Sequence, residues 1–215
     1  MKIAFFEIFN EIQNEEKKAL EKLFPNDKVS FFTDKLSREN VSLVKDTEVI
    51  SVFTNSSVEK SVIDLLPNLK FVNTSSTGFD HIDVGYCAKK GIKVSNVPAY
   101  GSVTVAEFTF ALLLNISRKV EKANNQLRQD DNFEITDLRG FDLKGKTLGV
   151  IGTGKIGKNV IKIANGFGMN ILAYDLYPDA SFAKENNFTY KNLPEVVSES
   201  DVLTLHTPYT KENHH

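Results

Sequence analysis

A single cysteine, Cys87, is the whole thiol complement of this 215-residue chain. An internal disulfide is excluded, and such sparing use of cysteine suits a reducing compartment. Cys87 lies in Val84-Gly85-Tyr86-Cys87-Ala88, an expected helix start with no histidine pattern beside it. It is read as a small buried thiol rather than a nucleophile. Clusters of positive charge are also lacking. The 26 Lys and Arg are interspersed with 28 Asp and Glu for a net charge of −2, which argues against a nucleic-acid or polyanion partner. No apolar run reaches the roughly 20 residues of a membrane span. The most apolar stretch, 103–116, is interrupted by Thr104, Glu107, Thr109 and Asn115. The N-terminus, Lys2-Ile3-Ala4-Phe5-Phe6-Glu7, has the pattern of a strand and not of a signal peptide. The expectation is a soluble, cytoplasmic protein with no membrane partner and no metal site.

What is present is regular alternation. Short apolar strands at 2–8, 29–33, 49–54, 70–74 and 92–95 are separated by helical stretches such as 11–23, where Ile12, Ala19, Leu20 and Leu23 share a face. Five strands with helical crossovers make a flavodoxin-like domain over residues 1–100. A long helix is expected over 104–129, apolar almost all round at first and polar later. It reads as an interdomain spine with a dimer surface, or equally as a core helix of one domain. The following Gln129-Asp130-Asp131-Asn132 reads as a solvated turn. A second series then begins, with strands at 147–151, 170–174, 188–190 and 201–206 and helices at 155–166, 179–186 and 194–199. The fold class expected is α/β, built as two parallel doubly wound sheets.

The second series opens with the chain's sharpest signal. Leu148-Gly149-Val150-Ile151 runs into a G-x-G-x-x-G turn formed by Gly152, Gly154 and Gly157, and the next strand ends in Tyr174-Asp175. A glycine triplet alone is weak evidence, but between a strand and a helix, with an acid closing the next strand, it marks a dinucleotide site. Gly152 permits the tight turn, Gly154 lets a pyrophosphate approach the backbone, and Gly157 lets helix and strand pack closely. Thr153, Lys155 and Ile156 fill the turn and open the helix whose N-terminus faces the phosphates. Asp175 would accept from ribose hydroxyls and repel a 2′-phosphate. No Arg or Lys follows it in Leu176-Tyr177-Pro178-Asp179, so the expected cofactor is NAD. A Rossmann domain needs about six strands; residues 101–215 contain the first half and the beginning of the second, so it is expected to be incomplete.

Further motifs carry a resemblance. Ser75-Ser76-Thr77-Gly78-Phe79-Asp80-His81-Ile82-Asp83, Gly91-Ile92-Lys93-Val94-Ser95-Asn96-Val97-Pro98-Ala99-Tyr100 and Val105-Ala106-Glu107 come first. Gly145-Lys146-Thr147-Leu148-Gly149-Val150-Ile151-Gly152, Tyr174-Asp175 and Leu205-His206-Thr207-Pro208 follow in order. Together they resemble the D-isomer-specific 2-hydroxyacid dehydrogenases over essentially the whole chain. The resemblance implies a substrate domain, here residues 1–100 without its C-terminal return segment, and an NAD-binding domain, residues 101–215. It implies that Ser76, Thr77 and Gly78 hold the substrate carboxylate through backbone N–H groups. On residues alone, an anion nest and an ordinary Ser/Thr/Gly turn both fit. Tyr100 is implied at the cleft, though an aromatic at a domain junction also fits. Thr104, His206, Thr207, Pro208 and Asn213 are implied on the cofactor side. His206 is tempting as a base, but it sits in the Leu-His-x-Pro element and reads as structural or cofactor-side. His81 reads as a loop residue.

The implied chemistry is hydride transfer between NAD and a small 2-keto or D-2-hydroxy acid, most like D-lactate dehydrogenase, in a homodimer. A phosphoglycerate-type enzyme and a non-catalytic NAD-sensing corepressor are the alternatives. Such a reaction needs a base near neutral pKa, an acid that orients it and an arginine clamp. In the resembled family all three follow the Leu-His-x-Pro element, so no catalytic residue is expected within the chain; all are expected downstream of His215. His214 and His215 are read as native rather than tag. The chain by itself is expected to be inactive, with an uncovered apolar edge that makes it prone to associate.

Overall fold

The structure is a computed structural model and describes residues 1–8, 13–130, 134–210 and 213. It divides into two compact units, Met1–Tyr100 and Gly101–His215.

The first unit is a parallel sheet of β1 (Lys2–Phe5), β2 (Lys28–Phe31), β3 (Val49–Val52), β4 (Phe71–Thr74) and β5 (Lys93–Ser95), in the order β2-β1-β3-β4-β5. The helices are α1 (Gln13–Leu23), α2 (Lys60–Ile63) and α3 (Val84–Lys89). Side chains alternate across a strand, so Ala4, Ile50 and Val72, aligned on neighbouring strands, fall on one face, each fully buried. Val62, Ile63, Leu66 and Cys87 join the same core. Asp83 caps α3 by accepting from the Tyr86 N–H at 2.8 Å, which fixes where the segment after the 75–80 loop turns helical. The sheet reverses its winding between β1 and β3, and the connections leaving these strands flank that switch point.

β1 is shorter than the apolar run Lys2 to Ile8 predicts. It ends at Phe5, and Glu7 adopts φ +58°, a left-handed conformation uncommon outside glycine. The cause is long-range. The Glu7 carboxylate is only 5% exposed and lies among donors of the β3–α2 connection.

The second unit holds α4 (Ser102–Arg118), α5 (Val120–Asp130), β6 (Thr147–Ile151), α6 (Lys155–Gly166), β7 (Asn170–Tyr174), α7 (Ala180–Glu185), β8 (Thr189–Tyr190), α8 (Leu193–Glu199) and β9 (Val202–Leu205). Its four parallel strands run β8-β7-β6-β9. Leu148, Val150 and Ala173 meet Val160, Ile161 and Ala164 of α6 and Ala106 and Phe110 of α4 in one core. Phe110 stacks on Phe167 with ring centroids 5.3 Å apart.

The single long helix expected over 104–129 is corrected to two. Lys119 breaks it at φ +52° and ψ +39°, and the Asn115 side chain caps the restart by accepting from the Glu121 N–H at 2.8 Å. The Ser117 carbonyl accepts from the Phe141 N–H at 3.0 Å instead of continuing the helical ladder. Gly140 makes that crossing possible, since a Cβ there would lie 1.9 Å from the same carbonyl oxygen. Part of the expected acidic turn, residues 131 and 132, lies outside the described residues.

β9 ends the sheet among the described residues, and it is apolar on its open side. Leu203 and Leu205 are 40% and 68% exposed, and with Val105, Leu112 and Ile116 of α4 they line a groove of about 350 Å³.

Candidate functional site

The glycine turn of the second unit is shaped by contacts that only glycine permits. Gly152 has φ +92°, and a Cβ there would sit 2.7 Å from the His206 carbonyl oxygen. A Cβ on Gly157 would sit 2.1 Å from the Gly152 carbonyl oxygen, so α6 could not lie where it does. Gly154 is different: its Cβ would project into open space. It is the N-cap of α6 and offers no capping side chain, whereas α7 and α8 are capped by Asp179 and Asn192. The backbone N–H groups of Gly154, Lys155 and Ile156 find no acceptor among the described residues. An uncapped helix start with room in front of it is what a pyrophosphate requires. Lys155 is exposed, while the Ile156 side chain packs on the core and only its backbone faces the open side.

Asp175 stands just past β7. Its Oδ2 accepts from the Thr153 N–H at 2.6 Å and from Thr153 Oγ1 at 3.0 Å, and its Oδ1 accepts from the Tyr177 N–H at 2.9 Å. Burial pushes the carboxyl pKa up, but the Tyr177, Thr153 and Leu176 donors together hold it below the usual aspartate value. The side chain is therefore a carboxylate at neutral pH and is half-buried, with lone pairs remaining for a ribose. Thr153, expected to touch the cofactor, is 4% exposed and its N–H is already given to Asp175. Its hydroxyl bridges Asp175 and the Tyr190 hydroxyl at 2.8 Å, so Thr153 orients the acid. Tyr190, a strand residue with no local motif around it, had no sequence signal for this.

The loop after β9 closes over the turn. His206 donates its backbone N–H to the Ile151 carbonyl at 2.8 Å, and its Nε2 lies 2.9 Å from Thr204 Oγ1. Burial lowers its pKa and leaves it neutral. Thr207 and Pro208 are exposed, and the Thr207 methyl approaches Gly152. Asn213 serves its own loop: it accepts from the Thr210 N–H at 2.8 Å and donates to the Pro208 carbonyl at 2.7 Å. Thr104 is exposed on the first turn of α4. His214 and His215 lie outside the described residues.

In the first unit, the loop after β4 directs its backbone in one sense. The Ser76 carbonyl accepts from the Val97 N–H at 3.1 Å, that of Thr77 from Asn96 Nδ2 at 2.8 Å, and that of Gly78 from the Ser76 hydroxyl at 2.6 Å. The Thr77 hydroxyl donates to the Val97 carbonyl at 3.0 Å. With these carbonyls occupied, the N–H groups of Thr77, Gly78 and Phe79 have no acceptor among the described residues. Consecutive unpaired N–H groups make an anion nest. Ser76 is buried, so it contributes its backbone and its bond to Gly78, not an exposed hydroxyl. Tyr100, at the end of this unit, is 61% exposed. Among the described residues no group of three or more His, Cys, Asp and Glu could hold a metal ion, and no helix is long and apolar enough to cross a membrane.

A parallel α/β unit with an uncapped glycine turn and an acid closing the next strand defines a dinucleotide-binding domain. The family described as "D-isomer specific 2-hydroxyacid dehydrogenase, NAD binding domain" matches residues 110–215. D-lactate dehydrogenase of Escherichia coli strain K12 is 38% identical over 189 residues, 87% of this chain and 57% of that protein. The apo-structure of D-lactate dehydrogenase from Escherichia coli superimposes with TM-score 0.84 at 34% identity, covering all of this chain and 67% of that one. D-lactate dehydrogenase from Aquifex aeolicus, solved with NAD and lactic acid, gives TM-score 0.88 at 36% identity over 99% of this chain and 62% of that one. The chain belongs to the D-2-hydroxyacid dehydrogenase family, and its residues 110–215 match that family's NAD-binding domain. It spans little more than half the length of the curated relatives it matches.

Proposed function

We propose that the protein is an NAD-dependent dehydrogenase that interconverts a small 2-keto acid and its D-2-hydroxy acid, of the D-lactate type. The observation that carries this reading is the pairing of two unsatisfied donor sets: the N–H groups of Gly154, Lys155 and Ile156, and those of Thr77, Gly78 and Phe79. The first set suits a pyrophosphate, with Asp175 on the ribose and Thr207 and Pro208 flanking it. The second suits a carboxylate. Bound NAD supplies a carbon that takes or gives a hydride. Loop 75–80 carries no cation that would favour a phosphorylated substrate. Unit 1 acts as the substrate domain, with Tyr100 at its edge, and the apolar residues Phe108, Leu112 and Ile116 on the exposed side of α4 supply a homodimer surface in the cytoplasm.

Proton transfer calls for a base with a pKa near neutrality, which a histidine oriented by a carboxylate supplies. His206 is neutral and bonded to Thr204, and among the described residues no acid orients it. The 215-residue chain should therefore bind NAD without turning over. Titration calorimetry with NAD and NADP, followed by a pyruvate reduction assay on the same sample, tests both parts. NAD is expected to bind more tightly than NADP, and the pyruvate trace should match a blank. Equal affinities would defeat the role of Asp175, and clear turnover would defeat the claim of inactivity.

A further inference from the structure

The buried hydroxyls beneath the 75–80 loop form a chain whose direction is set by its last member. Ser76 Oγ lies 2.6 Å from the Gly78 carbonyl, which can only accept, so the Ser76 proton points there. Thr74 Oγ1 lies 2.6 Å from Ser76 Oγ and must donate to it, because the Ser76 proton is already committed. With its own proton committed, Thr74 Oγ1 offers only lone pairs to His81 Nε2, 3.2 Å away, so a bond between them requires the proton on that nitrogen. The opposite direction would leave two bare oxygens 2.6 Å apart at Gly78. Thr74 is fully buried and Ser76 3% exposed, so water does not reverse the order. The run is His81 Nε2–H to Thr74, Thr74 to Ser76, Ser76 to Gly78 C=O.

We propose that His81 is a positioning residue for the carboxylate nest: as its Nε2–H tautomer it orients the Thr74 and Ser76 hydroxyls, which hold the Gly78 carbonyl inward and the neighbouring N–H groups outward. This rests on the carboxylate reading of that loop. The main chain supports it from the other side. The His81 carbonyl accepts from the Val58 N–H at 2.9 Å and the Asp83 N–H donates to the Val58 carbonyl at 3.0 Å, so the imidazole springs from an anchored backbone. Burial lowers the His81 pKa, outweighing the pull of Asp80 and Glu7 toward the charged form. A neutral ring has a single N–H, and which nitrogen carries it decides whether the relay exists.

The test uses the full 215-residue chain and NMR. Long-range proton–nitrogen spectra of the imidazoles should show His81 protonated on Nε2 and bare on Nδ1. Titration with oxamate, a 2-oxo carboxylate, should shift the Thr77, Gly78 and Phe79 amides saturably. His81→Gln keeps a donor and should bind oxamate like the wild type, whereas His81→Leu should bind about tenfold more weakly, as should Thr74→Val. Thr74→Ser should rescue. The double variant His81→Leu/Thr74→Val should be no weaker than Thr74→Val alone, since one break already stops the relay. An Nδ1–H ring, or unchanged affinity in His81→Leu, overturns the proposal. No saturable shift in the wild type overturns the carboxylate reading and the positioning role with it. An Nε2–H ring in the same spectra would then show that the hydrogen-bond relay exists although the loop takes no carboxylate.

Discussion

Glu7 and Asp175 each stand just past a central strand of their own sheet, and the two units use them in opposite ways. Glu7 takes five hydrogen bonds, from the N–H groups of Phe53, Asn55 and Ser56, the Asn55 amide and the Ser56 hydroxyl. It occupies the β1/β3 switch point, where an open α/β sheet offers a ligand site, and it fills that place with a charge from the chain itself. Asp175 takes three bonds and remains half-exposed. A carboxylate saturated by donors from a distant segment of the same chain holds structure together. One that is oriented but not saturated is available to a ligand. The same contrast divides the glycines: Gly157 admits backbone, while Gly154 faces open space.

The sharpest way to break this comparison is to add one methyl group. Gly157→Ala presses a Cβ against the Gly152 carbonyl with no side chain able to yield, and should destabilise unit 2 by about 3 kcal/mol. Gly154→Ala should change stability by no more than about 0.5 kcal/mol yet weaken NAD binding at least about tenfold. Calorimetric melts and NAD titrations read both. A Gly154→Ala protein that binds NAD normally would remove the pyrophosphate from that position.

Next come the acids. Glu7→Leu strands buried donors and should cost unit 1 about 3 kcal/mol; Glu7→Gln, which keeps an acceptor oxygen, should cost less, about 1–2 kcal/mol. Asp175→Asn should cost unit 2 only about 1 kcal/mol while lowering NAD affinity and narrowing the preference over NADP. If Asp175→Asn proved more damaging to folding than Glu7→Leu, the division between structural and ligand-facing acids would collapse.

The pH response should be smaller still. Burial raises the Glu7 pKa, but the Ser56, Asn55 and Phe53 donors outweigh it and the folded value lies below the ordinary 4.5. A depressed folded pKa contributes stability that is complete above 4.5 and is lost as pH falls through the lower folded value. Amide exchange at Phe53, Asn55 and Ser56 should therefore be steady at neutral pH and quicken, relative to intrinsic rates, below that point. In Glu7→Gln the acid-dependent component should vanish. Its persistence would assign the acid sensitivity to another group.

Much of this architecture was legible locally. Most strands, such as Val49–Val52 and Thr147–Ile151, lie within the apolar runs that marked them, because a buried parallel strand is rich in apolar, branched residues; β2 begins one residue earlier, at Lys28. The glycine turn was legible for a similar reason: backbone freedom, helix start and acid all fall within one strand–turn–helix–strand unit. The break at Lys119 was not, because it depends on Gly140 and Phe141 crossing Ser117 from a separate segment. Nor was the end of β1, since nothing near Glu7 announces the donors of residues 53–56.

The candidate sites divide the same way. That Thr153 would face inward, that Asn213 would bond its own loop and that His81 would meet the Thr74 hydroxyl are facts about which groups are already occupied. Period, glycine spacing and charge decide which elements form, because those forces act among residues a few positions apart. Whether a given N–H or carboxylate oxygen remains free for a ligand depends on partners delivered by distant segments, and the tertiary structure alone brings these together.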